Sequence, residues 1–276
     1  MWGRSRNIFA AAFSIASAGL LVPSPAAFAQ VQKEKPDFTN AANPVQGDWI
    51  RPADVMYVGD SESLGYFGDN LYRALAAERD PKSSRPLRVW TLWTCGSDVT
   101  SWASGATSFC GIRTCNGAGD CARDHGPNDG PAPVRYWALN KYLAAVRPRV
   151  TIISLGTNLL TTRDFDKPGF YDFYLKTVAR LAGQVKASGS GCIWIGPPQA
   201  ALFARPAKDY EKLVADMSRA AQHEDCVFID SNPLSDRAYL LKRDPEGTHY
   251  EPAGERAWEA KVWVLLEPAL KARLAK

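Results

Sequence analysis

Ser61 combines a reactive side chain with a position at which proteins commonly do chemistry. It follows Gly59 and Asp60 at the end of a short apolar run that begins at Val55 and is typical of a buried strand. A serine hydroxyl is a weak nucleophile until a neighbouring base accepts its proton, and near neutral pH that base is usually histidine. Once activated, the serine can attack a carbonyl carbon and form a covalent acyl intermediate.

His249 is the histidine with the context that suits such a base. It lies after the last predicted strand and just before the final predicted helix, where a loop can reach the end of the first strand. Asp244 and Glu246 are close enough in sequence to orient its imidazole ring. Of the other histidines, His223 ends a helix beside two acidic residues and is expected at the surface. His125 lies in a cysteine-rich loop, where a substrate contact fits better than a fixed base.

The elements that must position these residues alternate along the chain. Short β-rich runs alternate with segments of helical spacing, which predicts a doubly wound, flavodoxin-like sheet of about five parallel strands with helices on both faces. Ligands bind at the carboxyl ends of the strands in such a sheet, and Ser61 lies at one of these ends. The predicted strands are 55–58, 87–93, 150–155, 192–196 and 226–230, and the predicted helices are 67–78, 134–146, 170–186, 207–222 and 252–266.

Four sequence blocks resemble those of the SGNH (GDSL-type) hydrolases and follow the order of that family. They span residues 55 to 258 and are Gly59-Asp60-Ser61, Gly96, Gly156-Thr157-Asn158 and His249. The resemblance implies that Ser61 is the nucleophile and His249 the base. It also implies an oxyanion hole made by the N–H groups of Ser61 and Gly96 and by the Asn158 side chain. These donors follow three adjacent strands, so they can converge on one developing negative charge.

The chain departs from the family pattern at the acid before the histidine. The family usually has an aspartate three residues before its histidine, and this chain has Glu246 there. Gly247 gives the longer glutamate freedom to turn back, whereas Pro245 is expected to direct the carboxylate of Asp244 away from the ring. We therefore favour Glu246 as the third triad member and keep Asp244 as the alternative.

Glu62 is a second departure from the family pattern, because a glutamate replaces the usual apolar or neutral residue after the serine. We expect its carboxylate near the nucleophile, on a wall of the substrate site. An anion there would disfavour a channel for a long acyl chain and would repel anionic substrates.

The six cysteines predict disulfides, because the count is even and the chain is expected to be exported. A metal site fits less well, since no Cys-x-x-Cys motif occurs. Cys192 and Cys226 each begin a predicted strand, and one helical crossover joins these strands, so we expect them to be bonded. Residues 97–133 lack periodicity and are expected to form a disulfide-rich insertion. The remaining cysteines allow three connectivities, and the sequence does not choose among them: Cys95, Cys110, Cys115 and Cys121.

The N-terminal residues predict an export signal. Arg4 and Arg6 precede an apolar stretch, and Ala27-Phe28-Ala29 resembles a cleavage site. The stretch is too short and too rich in alanine and serine for a membrane span of about 20 residues. We expect a signal peptide over 1–29, a polar tether over 30–49 and an SGNH hydrolase domain over 50–276. The mature protein would be periplasmic or secreted, without a transmembrane segment.

These features predict an exported serine esterase that removes acyl groups, acetyl in particular, from carbohydrate or peptidoglycan. Four tryptophans could stack on sugar rings, although at least half are expected in the core: Trp90, Trp93, Trp102 and Trp137. Alternatives are a lipase or thioesterase, a peptidoglycan amide hydrolase, and a non-catalytic glycan-binding module. Removal of Arg4 and Arg6 with the predicted signal peptide lowers the formal net charge from +4 to +2, which is too near neutral to favour nucleic acid or an anionic membrane. We expect a monomer without cofactor or metal that acts on a small ester or an acylated glycan.

Overall fold

The computed structural model describes residues 50–116, 119, 121–124, 133–161, 167–200, 207–242, 244 and 247–276. The predicted signal peptide and tether lie outside the described residues, as do His125 and Glu246. In the described part of the chain, no helix is both long enough and apolar enough to cross a membrane.

The largest sheet has seven strands in the order β5-β4-β2-β1-β7-β8-β9. The bounds of the strands are β1 (Val55–Gly59), β2 (Val89–Thr94), β3 (Ala106–Ser108), β4 (Ile112–Cys115), β5 (Cys121–Asp124), β6 (Val134–Tyr136), β7 (Val150–Ser154), β8 (Gly191–Ile195) and β9 (Val227–Ile229). Five of them, β2-β1-β7-β8-β9, pair in parallel, which is the predicted flavodoxin-like order. The predicted fold class is therefore confirmed, although β4 and β5 add two antiparallel strands at one edge. β3 and β6 form a separate two-stranded sheet.

Helices cover both faces of the sheet. Their bounds are α1 (Tyr66–Ala77), α2 (Val99–Ser104), α3 (Leu139–Val146), α4 (Thr157–Thr161), α5 (Phe170–Ala187), α6 (Ala207–His223) and α7 (Pro252–Ala275). Along β1, Met56 and Val58 pack into the core beneath α2, α3, α5 and α6. Val55 and Tyr57 pack into the core beneath α1 and α7. The strand is buried on both faces, which explains why its sequence is an uninterrupted apolar run.

The predicted start of α3 is wrong. Val134–Tyr136 forms β6, and the helix begins only at Leu139. Val134 and Tyr136 are buried while Arg135 between them is exposed, which is the period of a strand. The helical spacing begins at Leu139, and the alternation over Val134–Tyr136 before it is that of a strand.

The final helix is longer than predicted, because α7 continues through Pro268 to Ala275. Leu266, Leu270 and Leu274 are buried and repeat at the helical spacing, so the apolar face does not end at the proline. The ring of Pro268 removes one backbone hydrogen bond, to the carbonyl of Val264. Val264 is exposed, so water can solvate that carbonyl.

The insertion over residues 97–133 contains more regular structure than expected, namely α2, β3, β4 and β5. These elements are three to six residues long, which is too short to show a hydrophobic period. Two disulfides lie in or beside the insertion, Cys95–Cys110 and Cys115–Cys121. The third disulfide joins Cys192 to Cys226, with the Cα atoms 4.5 Å apart, at the aligned starts of β8 and β9.

Candidate active site

The candidate site lies where β2, β1 and β7 end side by side. Gly59 at the end of β1 is level with Trp93 on β2 and with Ser154 on β7. The three loops that follow carry Ser61, Gly96 and Asn158 respectively. The parallel pairing therefore brings three of the predicted site residues to one edge of the sheet.

Ser61 lies at the start of a tightly packed turn between β1 and α1, in which the chain folds around the side chain of Ser63. Ser61–Leu64 is a turn of 3-10 helix, and the buried Ser63 hydroxyl lies 2.8 Å from the hydroxyl of Tyr57. A Cβ atom at Gly59 would collide with the Ser63 side chain, and one at Gly68 with the Ser63 carbonyl. Gly65 is restricted in the same way by the Glu255 carboxylate.

Ser61, His249 and Asp244 form a continuous chain of contacts. Ser61 Oγ lies 3.1 Å from His249 Nε2, and His249 Nδ1 lies 3.1 Å from Asp244 Oδ2. With a proton on Nδ1, the ring donates to Asp244 and accepts the Ser61 proton at Nε2. The imidazole is 36% exposed, whereas the Asp244 side chain is 6% exposed. This arrangement can activate a serine for attack on a carbonyl carbon.

The loop before the histidine turns the Asp244 carboxylate towards the ring. Asp244 Oδ2 accepts the backbone N–H groups of Thr248 and His249, each at 2.7 Å. Together with the contact to His249 Nδ1, these bonds show that the carboxylate faces the ring, so the expectation that it points away is wrong. Asp244 occupies the orienting position of a triad in the described residues. Glu246 lies outside them, and its contribution stays a prediction.

Gly96 and Asn158 are held together by Ser97, a residue that the sequence analysis did not single out. Asn158 Nδ2 donates to the Ser97 carbonyl at 2.7 Å. The Ser97 hydroxyl donates to the carbonyl of Gly59 at 3.3 Å. Gly96 is exposed and has a φ of +71°, a left-handed conformation that favours glycine. A serine next to a glycine is too common a pattern to have revealed this role from the sequence.

Two buried carboxylates flank Ser61 in the sequence. Burial raises the pKa of Asp60 to about 7, while its Oδ1 accepts the backbone N–H of Glu62 at 3.1 Å. Glu62 is 3% exposed, and its Oε1 lies 3.9 Å from His249 Nε2. The side chain is buried, and its carboxylate lies near the ring nitrogen that faces Ser61. Its effect on acyl chains and anionic substrates stays a prediction.

Glu255 connects the start of α7 to the start of α1. Its Oε2 accepts the Phe67 N–H at 2.9 Å. Burial raises the pKa of Glu255, and the bond from Phe67 opposes this shift. Because α7 follows His249 and α1 follows Ser61, this contact fixes the two helices that flank the reacting pair.

Most of the candidate sugar-stacking residues belong to the core. Trp90, Trp93 and Trp102 are fully buried. Trp137 is partly buried and packs against the core cluster beneath α3. His223 is 81% exposed beside Glu224, as expected for a surface residue. A sugar-stacking role therefore cannot rest on the three buried tryptophans.

No protein-family model matches the sequence, and no curated protein matches it. Solved structures do match. TesA is 15% identical with a TM-score of 0.50, and the match covers 78% of this chain and 98% of that one. The protein YxiM from Bacillus subtilis is 16% identical with a TM-score of 0.50, over 79% of this chain and 57% of that one. A GDSL-like lipase from Bacteroides thetaiotaomicron is 14% identical with a TM-score of 0.48, over 83% and 94%.

These identities are low, so the likeness concerns the fold. At that level, the α/β fold that the resemblance to the SGNH hydrolases implied is confirmed.

Proposed function

We propose that this protein is an exported serine esterase that removes a small acyl group, acetyl above all, from a carbohydrate or peptidoglycan. The observation that carries the proposal is the unbroken chain from Ser61 Oγ through His249 to Asp244, with both contacts at 3.1 Å. A serine, a histidine and a carboxylate in this geometry are the working parts of acyl transfer on several unrelated folds.

The first half of the reaction transfers the acyl group to the protein. His249 Nε2 takes the Ser61 proton as Oγ attacks the ester carbonyl carbon. The carbonyl oxygen becomes an oxyanion that the N–H groups of Ser61 and Gly96 and the Asn158 amide stabilise. The imidazolium then gives its proton to the leaving alcohol oxygen as the carbon–oxygen bond breaks. Asp244 holds the ring tautomer and stabilises its positive charge throughout.

The second half releases the acyl group as an acid. His249 accepts a proton from water, and the hydroxide oxygen attacks the acyl carbon bound to Ser61 Oγ. The same donors stabilise the second oxyanion. Collapse of this intermediate breaks the bond to Oγ and returns the proton from Nε2 to Ser61, so the protein is regenerated.

The exposure of the site supports a polymeric substrate with a short acyl group. Gly96 is exposed, Ser61 is half-buried, and the imidazole is 36% exposed, so the reacting atoms lie near the surface. An acetyl group on a polysaccharide can reach such a site without the polymer entering a narrow channel. The predicted export signal and the three disulfides fit a compartment in which acylated envelope polymers occur.

The test is active-site labelling followed by a substrate series. A fluorophosphonate should label the wild-type protein at Ser61 and should not label Ser61→Ala. Hydrolysis of p-nitrophenyl esters should fall as the acyl chain lengthens, and acetate should be released from acetylated glycans. A preference for long chains would instead support a lipase or thioesterase, and cleavage of a peptidoglycan amide would support the amidase alternative. Folded Ser61→Ala that keeps more than a few per cent of activity would contradict the mechanism.

A further inference from the structure

Ser97 lies at the point where the three loops of the candidate oxyanion hole meet. The residue is 1% exposed, so its polar atoms interact with the protein. It follows Gly96 directly, and it begins the segment that leads into α2. None of the four family blocks includes it.

The hydroxyl of Ser97 ties its loop to the strand that carries the nucleophile. It accepts a hydrogen bond from Trp102 Nε1 at 3.1 Å and donates one to the Gly59 carbonyl at 3.3 Å. Gly59 is two residues before Ser61, so this bond fixes the end of β1 relative to Gly96. Trp102 is fully buried on α2, which makes the hydroxyl's anchor rigid.

The carbonyl of Ser97 ties the same loop to α4. It accepts the Asn158 Nδ2 donor at 2.7 Å. An amide NH₂ group has two hydrogens, so this bond sets the plane of the amide. The plane of the amide in turn fixes the direction of the second N–H, through which Asn158 can donate a hydrogen bond to an oxyanion.

The preceding residue holds Gly96 from the other side. Cys95 is bonded to Cys110, and its backbone N–H donates to the Gly111 carbonyl at 2.9 Å. The Ser108 hydroxyl donates to the Cys95 carbonyl at 3.2 Å. Gly96 itself has the backbone freedom of a glycine, so its N–H direction depends on the residues on both sides.

We propose that Ser97 is the positioning residue of the oxyanion hole, aligning the Gly96 N–H and the Asn158 amide with the end of β1 that carries Ser61. The inference rests on the proposed function, because it assigns Ser97 a role in the same reaction. Oxyanion donors stabilise a transition state only where they point at the developing charge. A small shift of the Gly96–Ser97 backbone moves both the Gly96 N–H and the Ser97 carbonyl that holds Asn158, so it misaligns two donors together.

The test compares Ser97→Ala with Ser190→Ala. Ser190 is also buried, and its hydroxyl lies 2.9 Å from Thr151 Oγ1 at the opposite edge of the sheet, far along the strand from the site. Ser97→Ala removes a buried hydroxyl with two hydrogen bonds and Ser190→Ala one with a single hydrogen bond, so both should lose thermal stability and Ser97→Ala somewhat more. Ser97→Ala should lower kcat by roughly 10- to 100-fold with KM changed less than about threefold, whereas Ser190→Ala should leave both near wild type.

A double-mutant cycle with Asn158→Ala separates positioning from independent effects. If Ser97 acts through Asn158 and Gly96, the loss of kcat in the double variant will be smaller than the product of the two single losses. Ser97→Thr retains a hydroxyl and should recover part of the activity. Should Ser97→Ala fail to fold, Trp102→Phe removes the indole N–H and should lower kcat in the same direction by a smaller factor.

The outcomes distinguish this inference from the proposed function. No fluorophosphonate labelling and no ester hydrolysis by the wild-type protein would overturn both. An active wild type in which Ser97→Ala matches Ser190→Ala in kcat would overturn the positioning role alone. Fully multiplicative losses in the double variant would also overturn it, since Ser97 would then act independently of the donors.

Discussion

Two aspartates bracket β1, and the protein treats them in opposite ways. Asp54 precedes the strand, and both its carboxylate oxygens accept hydrogen bonds from Arg85 at 2.7 Å. Burial alone would raise the pKa of Asp54, but the bonds from Arg85 and Arg88 hold it well below its usual range. Asp60 follows the strand, and burial raises its pKa to about 7. Among the residues that the structure describes, Asp60 Oδ2 has no hydrogen-bond partner.

The two aspartates show that the amino ends of the strands stabilise the fold, whereas the carboxyl ends carry the candidate chemistry. At the amino end of the sheet, Asp54 is paired with two arginines and Thr151 with Ser190. At the carboxyl end, an incompletely satisfied carboxylate lies beside the candidate nucleophile. Proteins often give up stability at sites of function and recover it elsewhere. The following variants test that division, from the largest expected effect to the smallest.

Removing the charge of Asp244 should have the largest effect on activity. Asp244→Asn should lower kcat by about 10⁴-fold, because the ring loses the group that fixes its tautomer. Glu246→Gln, the matched control, should cost less than about tenfold. Steady-state kinetics on folded variants would check this. The reverse ranking would return the role to Glu246 and show that the Asp244 contact serves the loop alone.

Asn158→Ala tests the carboxyl edge by removing a donor. We expect kcat to fall by roughly 10²–10³ with little change in KM, because the amide is needed only when charge develops. Asn140→Ala, an exposed asparagine on α3, is the control and should remain near wild type. Unfolding measurements should show only a small change for either variant. A loss confined to KM would make Asn158 a substrate-binding residue.

Asp54→Asn tests the amino edge, where stability and not activity should change. Breaking a buried charge pair costs several kcal/mol, but Arg85 and Arg88 are half-exposed, so we expect about 2 kcal/mol at pH 7. The folded pKa of Asp54 is depressed below 3.8, so its contribution is present above that pH and is lost as the pH falls further. Denaturant unfolding against pH, with exposed Glu211→Gln as the control, would show the gap closing in acid. A large fall in kcat in Asp54→Asn would contradict the division between a stabilising amino end and a functional carboxyl end of the sheet.

Asp60→Asn should show the opposite pH dependence and the smallest effect. The folded pKa of Asp60 is about 7 against an ordinary 3.8, so the wild type loses stability as the pH rises through that window. Asparagine does not titrate, so the free energy of unfolding of the variant should rise relative to that of the wild type by about 1–2 kcal/mol between pH 4 and pH 7. This is less than the full pKa shift of Asp60 corresponds to, because the surroundings of a buried charge relax. Thermal unfolding across this range measures it. A gap that does not vary with pH would mean that Asp60 does not ionise there.

The parallel core was predictable because apolar burial leaves a pattern in the sequence. Val150–Ser154 is buried throughout, and its first four residues are all β-branched, so the sequence predicted both a strand and its place in the middle of the sheet. Ser61 and His249 could be paired because strand order places their loops at one edge of the sheet. In each case one dominant force, burial or chain topology, decides the outcome.

The insertion and the acid that contacts His249 could not be predicted, because many weak polar contacts decide them. β4 joins the sheet through hydrogen bonds to β2 and not through an apolar run. The choice between Asp244 and Glu246 depends on backbone N–H groups of Thr248 and His249 that the side-chain sequence does not reveal. The proposed role of Ser97 could not be predicted either, because it depends on the groups that its hydroxyl and carbonyl oxygens contact in the folded protein.

The glycines around Ser63 have a consequence for how descent and activity are recognised in sequences of this kind. Gly59 and Gly68 are required by crowding, because a Cβ atom would meet the packed Ser63 side chain at Gly59 and the Ser63 backbone at Gly68. They would be retained by any descendant that keeps the turn, including one that had lost Ser61 or His249. These glycines therefore record ancestry, whereas Ser61 and His249 together bear on whether the proposed activity is retained.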